Sequence, residues 1–285
     1  MRIAWIGLGV MGVPMACHLM KNGHKLHAYT RTKEKAQAVV DAGGHWHDTV
    51  AACVSDCDAV FTMVGFPKDV EQVYFGPEGI LENAQPSAYL IDMTTTSPAL
   101  SVRIFEAAQK RGLNALDAPV SGGDLGARNA TLSIMAGGRQ EDFDACLPLF
   151  SCLGKSIVYT GAPGSGQHTK MANQIAIAGA VAGVAEAVAY GRKAGLDVNN
   201  MLDCISKGAA GSWQMQNNGP KMAQGDMDPG FYIKHYIKDL DIAANQSHDR
   251  GLSLPVLEEV LNIYRALEEK GLSDLGTQAI IKYYE

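Results

Sequence analysis

Arg2-Ile3-Ala4-Trp5-Ile6-Gly7-Leu8-Gly9-Val10-Met11-Gly12 is the stretch on which the reading of this chain turns. Its first part, Arg2 to Leu8, is a continuous apolar run with β-branched members, the pattern of a strand covered on both faces. Glycines follow at 7, 9 and 12, and then a helical pattern runs to about Asn22. After Gly23 a second strand spans Lys25 to Thr30. A G-x-G-x-x-G between strand and helix, inside a βαβ unit, is the setting in which glycines serve a dinucleotide. Gly7 makes the tight turn, Gly9 lets the backbone approach a pyrophosphate, and Gly12 lets helix and strand pack closely. The helix N-terminus then offers free N–H groups and a positive dipole end to the phosphates. Gly7, Leu8, Gly9, Val10, Met11 and Gly12 are the candidate cofactor contacts of this loop.

The end of the second strand is where NAD and NADP are told apart, because an acid there binds both ribose hydroxyls and repels a 2′-phosphate. The chain reads Tyr29-Thr30-Arg31-Thr32-Lys33, with no acid before Glu34. Arg31 can stack on adenine and pair with a phosphate, and the Thr30 and Thr32 hydroxyls can add hydrogen bonds. NADP(H) is therefore expected in preference to NAD(H).

Strand and helix patterns keep alternating. Residues 33–42 read as helix, 59–64 as strand, 70–75 as a short helix and 88–93 as strand. A helix over 99–111 leads to a strand over 114–118, and further strands are expected at 132–136 and 156–159. The result is an α/β Rossmann-like, doubly wound sheet of seven or eight strands. Ligands in such sheets sit at the carboxyl ends of strands. There the sequence offers Met63 and Val64, then Thr94-Thr95-Thr96, then Ser121-Gly122-Gly123.

Pro163-Gly164-Ser165-Gly166 marks the expected boundary between a dinucleotide-binding domain, 1–162, and an all-α domain, 163–285. An interdomain helix over 165–191 would be roughly 40 Å long. Its Ala and Gly content suits close helix approach and a subunit interface. On it Lys170, Asn173, Gln174 and Ile177 fall at i, i+3, i+4 and i+7 and share one face. A lysine and two carboxamides on one stripe of an oily helix are costly to bury without a purpose. Further helices are expected over 199–207, 232–250, 255–270 and 275–284. Trp213, Gln214, Gln216, Asn217 and Phe231 are candidates for shaping a pocket.

The 285 residues carry a net charge of −6, which argues against a general nucleic-acid or anionic-membrane binder. An anionic substrate then needs local positive groups. Six cysteines (17, 53, 57, 146, 152 and 204) form no C-x-x-C pair and suit reduced thiols in a cytoplasmic protein. The most apolar helical run, 175–185, meets Glu186 sooner than the ~20 residues a membrane span needs. His24 and His27, and His45-Trp46-His47, lack a third ligand at sensible spacing, so no metal is expected.

Four motifs in order resemble those of the β-hydroxyacid dehydrogenases, the family of 3-hydroxyisobutyrate dehydrogenase, tartronate semialdehyde reductase and glyoxylate/succinic semialdehyde reductase. They are residues 7–16, the stretch Asp117-Ala118-Pro119-Val120-Ser121-Gly122-Gly123, the stretch 164–173 containing Lys170, and Lys238-Asp239-Leu240. The resemblance spans nearly the whole chain. It implies a homodimer or homotetramer and hydride transfer between a nicotinamide cofactor and a small carboxylate-bearing aldehyde or hydroxy acid. It further implies that Lys170 is the proton donor and acceptor, and that Ser121, Gly122 and Gly123 hold the substrate carboxylate. Asn173 and Gln174 would orient the lysine and bind substrate oxygens. By the same resemblance Thr95 faces the nicotinamide, Phe231 borders the pocket, and Lys238 and Asp239 close over the cofactor. Gln174 departs from the asparagine frequent in the family and resembles the Asn-Gln pair of tartronate semialdehyde reductases. Imine reductases and non-catalytic dinucleotide-binding modules share the architecture, but such relatives usually lack the lysine that stands at 170.

Overall fold

Alternate side chains of the first strand are claimed by two different cores. Ile3 and Trp5 pack into one cluster with Met15, Leu19 and Phe61, while Ala4 and Ile6 enter another with Val60, Val70 and Ile104. Burial on both faces is what the unbroken apolar run requires. Trp5 stacks on Phe61 at 5.3 Å between centroids, and its indole N–H donates to the Gly7 carbonyl at 2.9 Å.

The computed structural model describes residues 1–285 and divides them into two units, Met1–Lys170 and Met171–Glu285. The first holds β1 (Arg2–Ile6), β2 (Lys25–Tyr29), β3 (His45–Trp46), β4 (Ala59–Thr62), β5 (Tyr89–Asp92), β6 (Asn114–Asp117), β7 (Val120–Ser121), β8 (Leu132–Gly137) and β9 (Gly154–Gly161). Strands lie in the order β3-β2-β1-β4-β5-β6-β8-β7, with β9 on β8. The first six are parallel; β8 is antiparallel to β6 and β7. Chain order reverses between β1 and β4, so the crevice for a ligand opens where these two strands end.

The sheet has nine strands where seven or eight are expected, since β3 and β7 are two residues each and too short to show periodicity. Five helices escape the sequence reading, and the two longest are Gln140–Ser151 and Trp213–Gln224. Each of these two contains an interior proline, Pro148 and Pro220, which normally argues against a helix. The second is nonetheless started by the Ser212 hydroxyl, which accepts the Met215 N–H at 3.0 Å.

The second unit is built on the remainder of the helix Ser165–Lys193, with helices Val198–Ile205, Trp213–Gln224, Ile233–His248 and Pro255–Glu269, and a final 3₁₀ segment, Thr277–Tyr283. Ala178, Val181, Ala185 and Val188 are fully buried among Tyr236, Leu240, Val260 and Tyr264. By length and composition this 29-residue helix is apolar enough to cross a membrane, contrary to the reading that Glu186 ends it too soon. A single glutamate does not interrupt so long an apolar run, and here much of that surface meets protein. All six cysteines are free.

Gly12 stands where a Cβ would lie 2.0 Å from the Gly7 carbonyl oxygen, whereas a Cβ on Gly9 would meet nothing within 4 Å. Gly12→Ala is expected to cost about 1–3 kcal/mol as an overpacking change, read from urea denaturation. Gly9→Ala should leave the midpoint unchanged. Equal midpoints for the two variants would remove the packing role given to Gly12.

Candidate active site

The loops that end β1 and β4 meet directly. Gly7, at φ +102°, donates its N–H to Tyr29 at 2.9 Å, and a Cβ on it would lie 2.2 Å from the Met63 carbonyl oxygen. Val64 donates its N–H to the Thr94 hydroxyl at 3.0 Å, which ties the β4 end to the β5 end. Leu8 and Gly12 are buried, Met11 is half-buried, and Gly9 and Val10 are exposed. This is a glycine loop with backbone turned outward ahead of the helix Gly12–Lys21. Thr30 is half-buried, and Arg31 and Thr32 are exposed. Arg31 pairs with Asp69 at 3.0 Å, while its own side chain is 70% exposed. Asp69 also accepts the Phe66 N–H at the head of the helix Pro67–Phe75, so the arginine is tethered to a fixed carboxylate.

At the other end of the parallel run, β6 passes through Asp117 into β7 and then Ser121-Gly122-Gly123. Gly122 and Gly123 take φ of +130° and +62°, conformations that L side chains rarely adopt. Lys170 is 6% exposed, and its Nζ donates to the Val120 carbonyl at 2.8 Å, one residue before Ser121. The helix carrying it is fixed in its first turn. Asp117 accepts the N–H groups of Gly164 and Gln167, both at 2.8 Å. The Gln167 side chain donates to the Thr94 carbonyl at 2.8 Å and accepts the Thr96 N–H at 3.0 Å. Thr95, half-buried, lies between those two anchor points. Burial pushes the Asp117 carboxyl up to about 7 against the pull of the two amides, and Asp92 acts in the same direction as burial.

A second network lies in the unit 171–285. Asp239 is 1% exposed; one oxygen pairs with Lys238 at 2.9 Å and the other accepts from the Gln174 side-chain amide at 2.6 Å. Gln174 Oε1 in turn accepts from the Asn173 side-chain amide at 2.7 Å. Phe231 packs edge-on against Tyr236, whose hydroxyl donates to the Gln174 carbonyl at 3.1 Å. Of the pocket candidates, Trp213 is exposed, and Gln214 is buried with its oxygen accepting from Asn218. Asn217 bonds back to the Trp213 carbonyl within the helix.

Asp117 and Gln167 carry structural roles at this site that the sequence reading did not assign. Their partners lie 47 to 73 residues away, so no local spacing signals them. The histidines behave likewise. Pairing of His27 with His45 across β2 and β3 brings both near His47, with ring centroids 5.1 to 6.1 Å apart. Burial and mutual repulsion lower His27 and His47, and no group of three donor side chains is set to hold a metal ion.

Residues 2–161 match the NAD binding domain of 6-phosphogluconate dehydrogenase, and residues 164–284 match the NAD-binding region of NADP-dependent 3-hydroxyisobutyrate dehydrogenase. An uncharacterized oxidoreductase of Bacillus subtilis, YkwC, is 53% identical over 99% of this chain and 98% of its own. The 2-hydroxy-3-oxopropionate reductase of Escherichia coli is 35% identical, over 100% of this chain and 97% of its own. Among solved structures, Mycobacterium tuberculosis 3-hydroxyisobutyrate dehydrogenase with L-serine is 30% identical. It superimposes with a TM-score of 0.89, covering 99% of this chain and 98% of that one.

Gln174→Leu removes the donor to a buried Asp239 oxygen and supplies none in return. A loss of about 1–3 kcal/mol is expected, the usual cost of an unsatisfied buried acceptor, measured by chemical denaturation. Wild-type stability in this variant would show that the Gln174–Asp239 bond holds nothing.

Proposed function

The chain belongs to the β-hydroxyacid dehydrogenase family and is an NAD(P)-dependent oxidoreductase of the 3-hydroxyisobutyrate dehydrogenase type; from that premise we propose that it transfers hydride reversibly between NADP(H) and a small hydroxy acid or its semialdehyde. Lys170 carries this reading: a buried ammonium on a fixed helix, 2.8 Å from the carbonyl that precedes Ser121-Gly122-Gly123.

The residues present fit the dinucleotide. Gly9 leaves its surroundings open, a helix N-terminus follows at Gly12, and the Arg31 side chain is largely exposed. Gly7, Leu8, Val10, Met11, Met63, Val64, Thr30, Thr32 and Thr95 are the further contacts we assign, with Lys238 and Asp239 from the second unit. Bound NADP(H) supplies the hydride. Lys170 donates a proton to the oxygen that becomes an alkoxide, and neutral Lys170 takes it back in oxidation. Alcohol oxidation therefore favours higher pH than aldehyde reduction. Ser121 offers a hydroxyl, and Gly122 and Gly123 offer unhindered N–H groups, a set suited to a carboxylate.

A second reading makes tartronate semialdehyde the main substrate, ahead of 3-hydroxyisobutyrate, glyoxylate or succinic semialdehyde. The Asn173–Gln174 pair favours it. Because the Asn173 amide nitrogen is given to Gln174, its oxygen is left to accept from a substrate hydroxyl, which tartronate semialdehyde has and succinic semialdehyde lacks. We further propose a homodimer or homotetramer in the cytoplasm. The open Gly183 face and the 72% exposed Tyr190 of the long helix support a subunit contact, and the free thiols support a reducing compartment.

Lys170→Ala should lower kcat by roughly 10²–10⁴-fold while NADPH binding, followed by fluorescence titration, stays intact. Near-normal turnover removes the lysine from the mechanism. Arg31→Asp should move preference from NADP toward NAD, read as the ratio of kcat/KM for the two cofactors; an unmoved ratio removes Arg31 from cofactor selection.

A further inference from the structure

The motif that resembles the family's substrate-binding signature begins with Asp117, yet this carboxylate is not placed like a substrate ligand. It is 4% exposed, and both of its oxygens accept N–H groups from the start of the lysine-bearing helix. The space beside it is a cavity of about 10 Å³ lined by Asp92, Ser101, Ile104 and Pro163, room for no more than one water-sized molecule. Two glycines leave room for the carboxylate. A Cβ on Gly137 would lie 2.7 Å from Asp117 Oδ1, and one on Gly166 would lie 2.8 Å from Oδ2.

We propose that Asp117 is a positioning residue for Lys170, its carboxylate clamping the first turn of the helix through the Gly164 and Gln167 amides so that the ammonium is held at the Val120 carbonyl. This rests on Lys170 being the proton donor. A carboxylate bonded to the first N–H groups of a helix satisfies otherwise orphaned donors and meets the positive end of the dipole. One of those amides belongs to Gln167, whose side chain grips Thr94 and Thr96, and Lys170 follows three residues later on the same face. Losing the carboxylate therefore loosens the helix where the lysine leaves it.

The clamp depends on charge. As an anion Asp117 accepts both amides; with a proton on one oxygen, that oxygen is the weaker acceptor. The groups around it are Asp92, its register partner on β5, the Ser101 hydroxyl of the helix Pro98–Gln109, and the helix that carries Lys170. Burial and Asp92 together hold the proton on up to about 7. A carboxyl raised above its unfolded value of 3.8 contributes stability that is full below that value and is lost as pH rises through about 7. Stability and positioning thus run in opposite directions, and the charged form that fixes the lysine is the less stable one.

The test uses the full chain. In ¹⁵N-labelled wild type, the Gly164 and Gln167 amide resonances should titrate together with a midpoint near 7. In Asp117→Asn they should not titrate there. The same variant should bind NADPH as wild type does, lose roughly 10–100-fold in kcat for aldehyde reduction, and lose the acid limb of the kcat–pH profile. Gly164 and Gln167 amides that exchange with solvent in the wild type as fast as unbonded ones overturn the proposal, with or without a folded variant. So does Asp117→Asn with an unchanged kcat and pH profile. A wild type that reduces no carboxylate-bearing aldehyde defeats the functional reading of Lys170, and the amide exchange still decides the clamp.

Discussion

A lysine ammonium withdrawn from water keeps its charge only where fixed acceptors replace its hydration. Lys170 meets that constraint at the Val120 carbonyl, and much of the first unit serves to hold donor and acceptor in place. The acceptor belongs to β7, a two-residue strand kept on the sheet by Val120 opposite Ile134 and Ser121 opposite Ser133. The donor belongs to a helix pinned by Asp117 from β6 and, through Gln167, by the loop after β5. Lys170 is thus referenced to three strand ends at once. A group located that way has little freedom to drift, which is what proton transfer to one developing oxygen requires.

So tight an approach of helix to sheet leaves no room for Cβ atoms. Gly166, in the first helical turn, would place one 2.4 Å from the Met135 carbonyl oxygen and 2.6 Å from that of Asp117. Gly164, at φ +87°, adds a conformation that other residues resist. The glycines of this junction are thereby explained by packing and backbone geometry, without appeal to flexibility. The contrast with Gly9 is instructive, since nothing in the protein crowds it. No packing constraint within the protein therefore accounts for a glycine at this position.

The doubly wound sheet and the glycine loop are legible in the sequence because each is a local matter. A strand buried on both faces is apolar throughout, and a turn that needs positive φ needs glycine. What is not legible is decided at long range. β3 and β7 exist by pairing with neighbours, and no two-residue stretch has a period. The helix Trp213–Gln224 is polar and carries Pro220, so composition argues against it. The compact units divide at 170/171, inside the helix that begins at Ser165. The first turn of the helix takes its anchors from β6 and from the loop after β5, a fact of Asp117 and Gln167 that sequence spacing does not carry. Motif resemblance singled out Lys170 and Ser121–Gly123. It gave Asp117 no role of its own, and the two amide bonds this carboxylate accepts supply one.

The second network shows how far chemistry alone can settle an orientation. Amide nitrogen and oxygen are assigned by their partners. Asp239, as a carboxylate paired with Lys238, can only accept, so Gln174 must present Nε2 to it. That leaves Gln174 Oε1 facing Asn173, which must then donate through Nδ2. The remaining polar atom of Asn173 is its oxygen. The order of donors and acceptors along Asn173, Gln174 and Asp239 therefore follows from the single fixed charge of the carboxylate. Gln174 is integral to the device. An asparagine there is one methylene shorter, too short to span from Asp239 to Asn173 at these distances, and the chain of orientations would break at its second link.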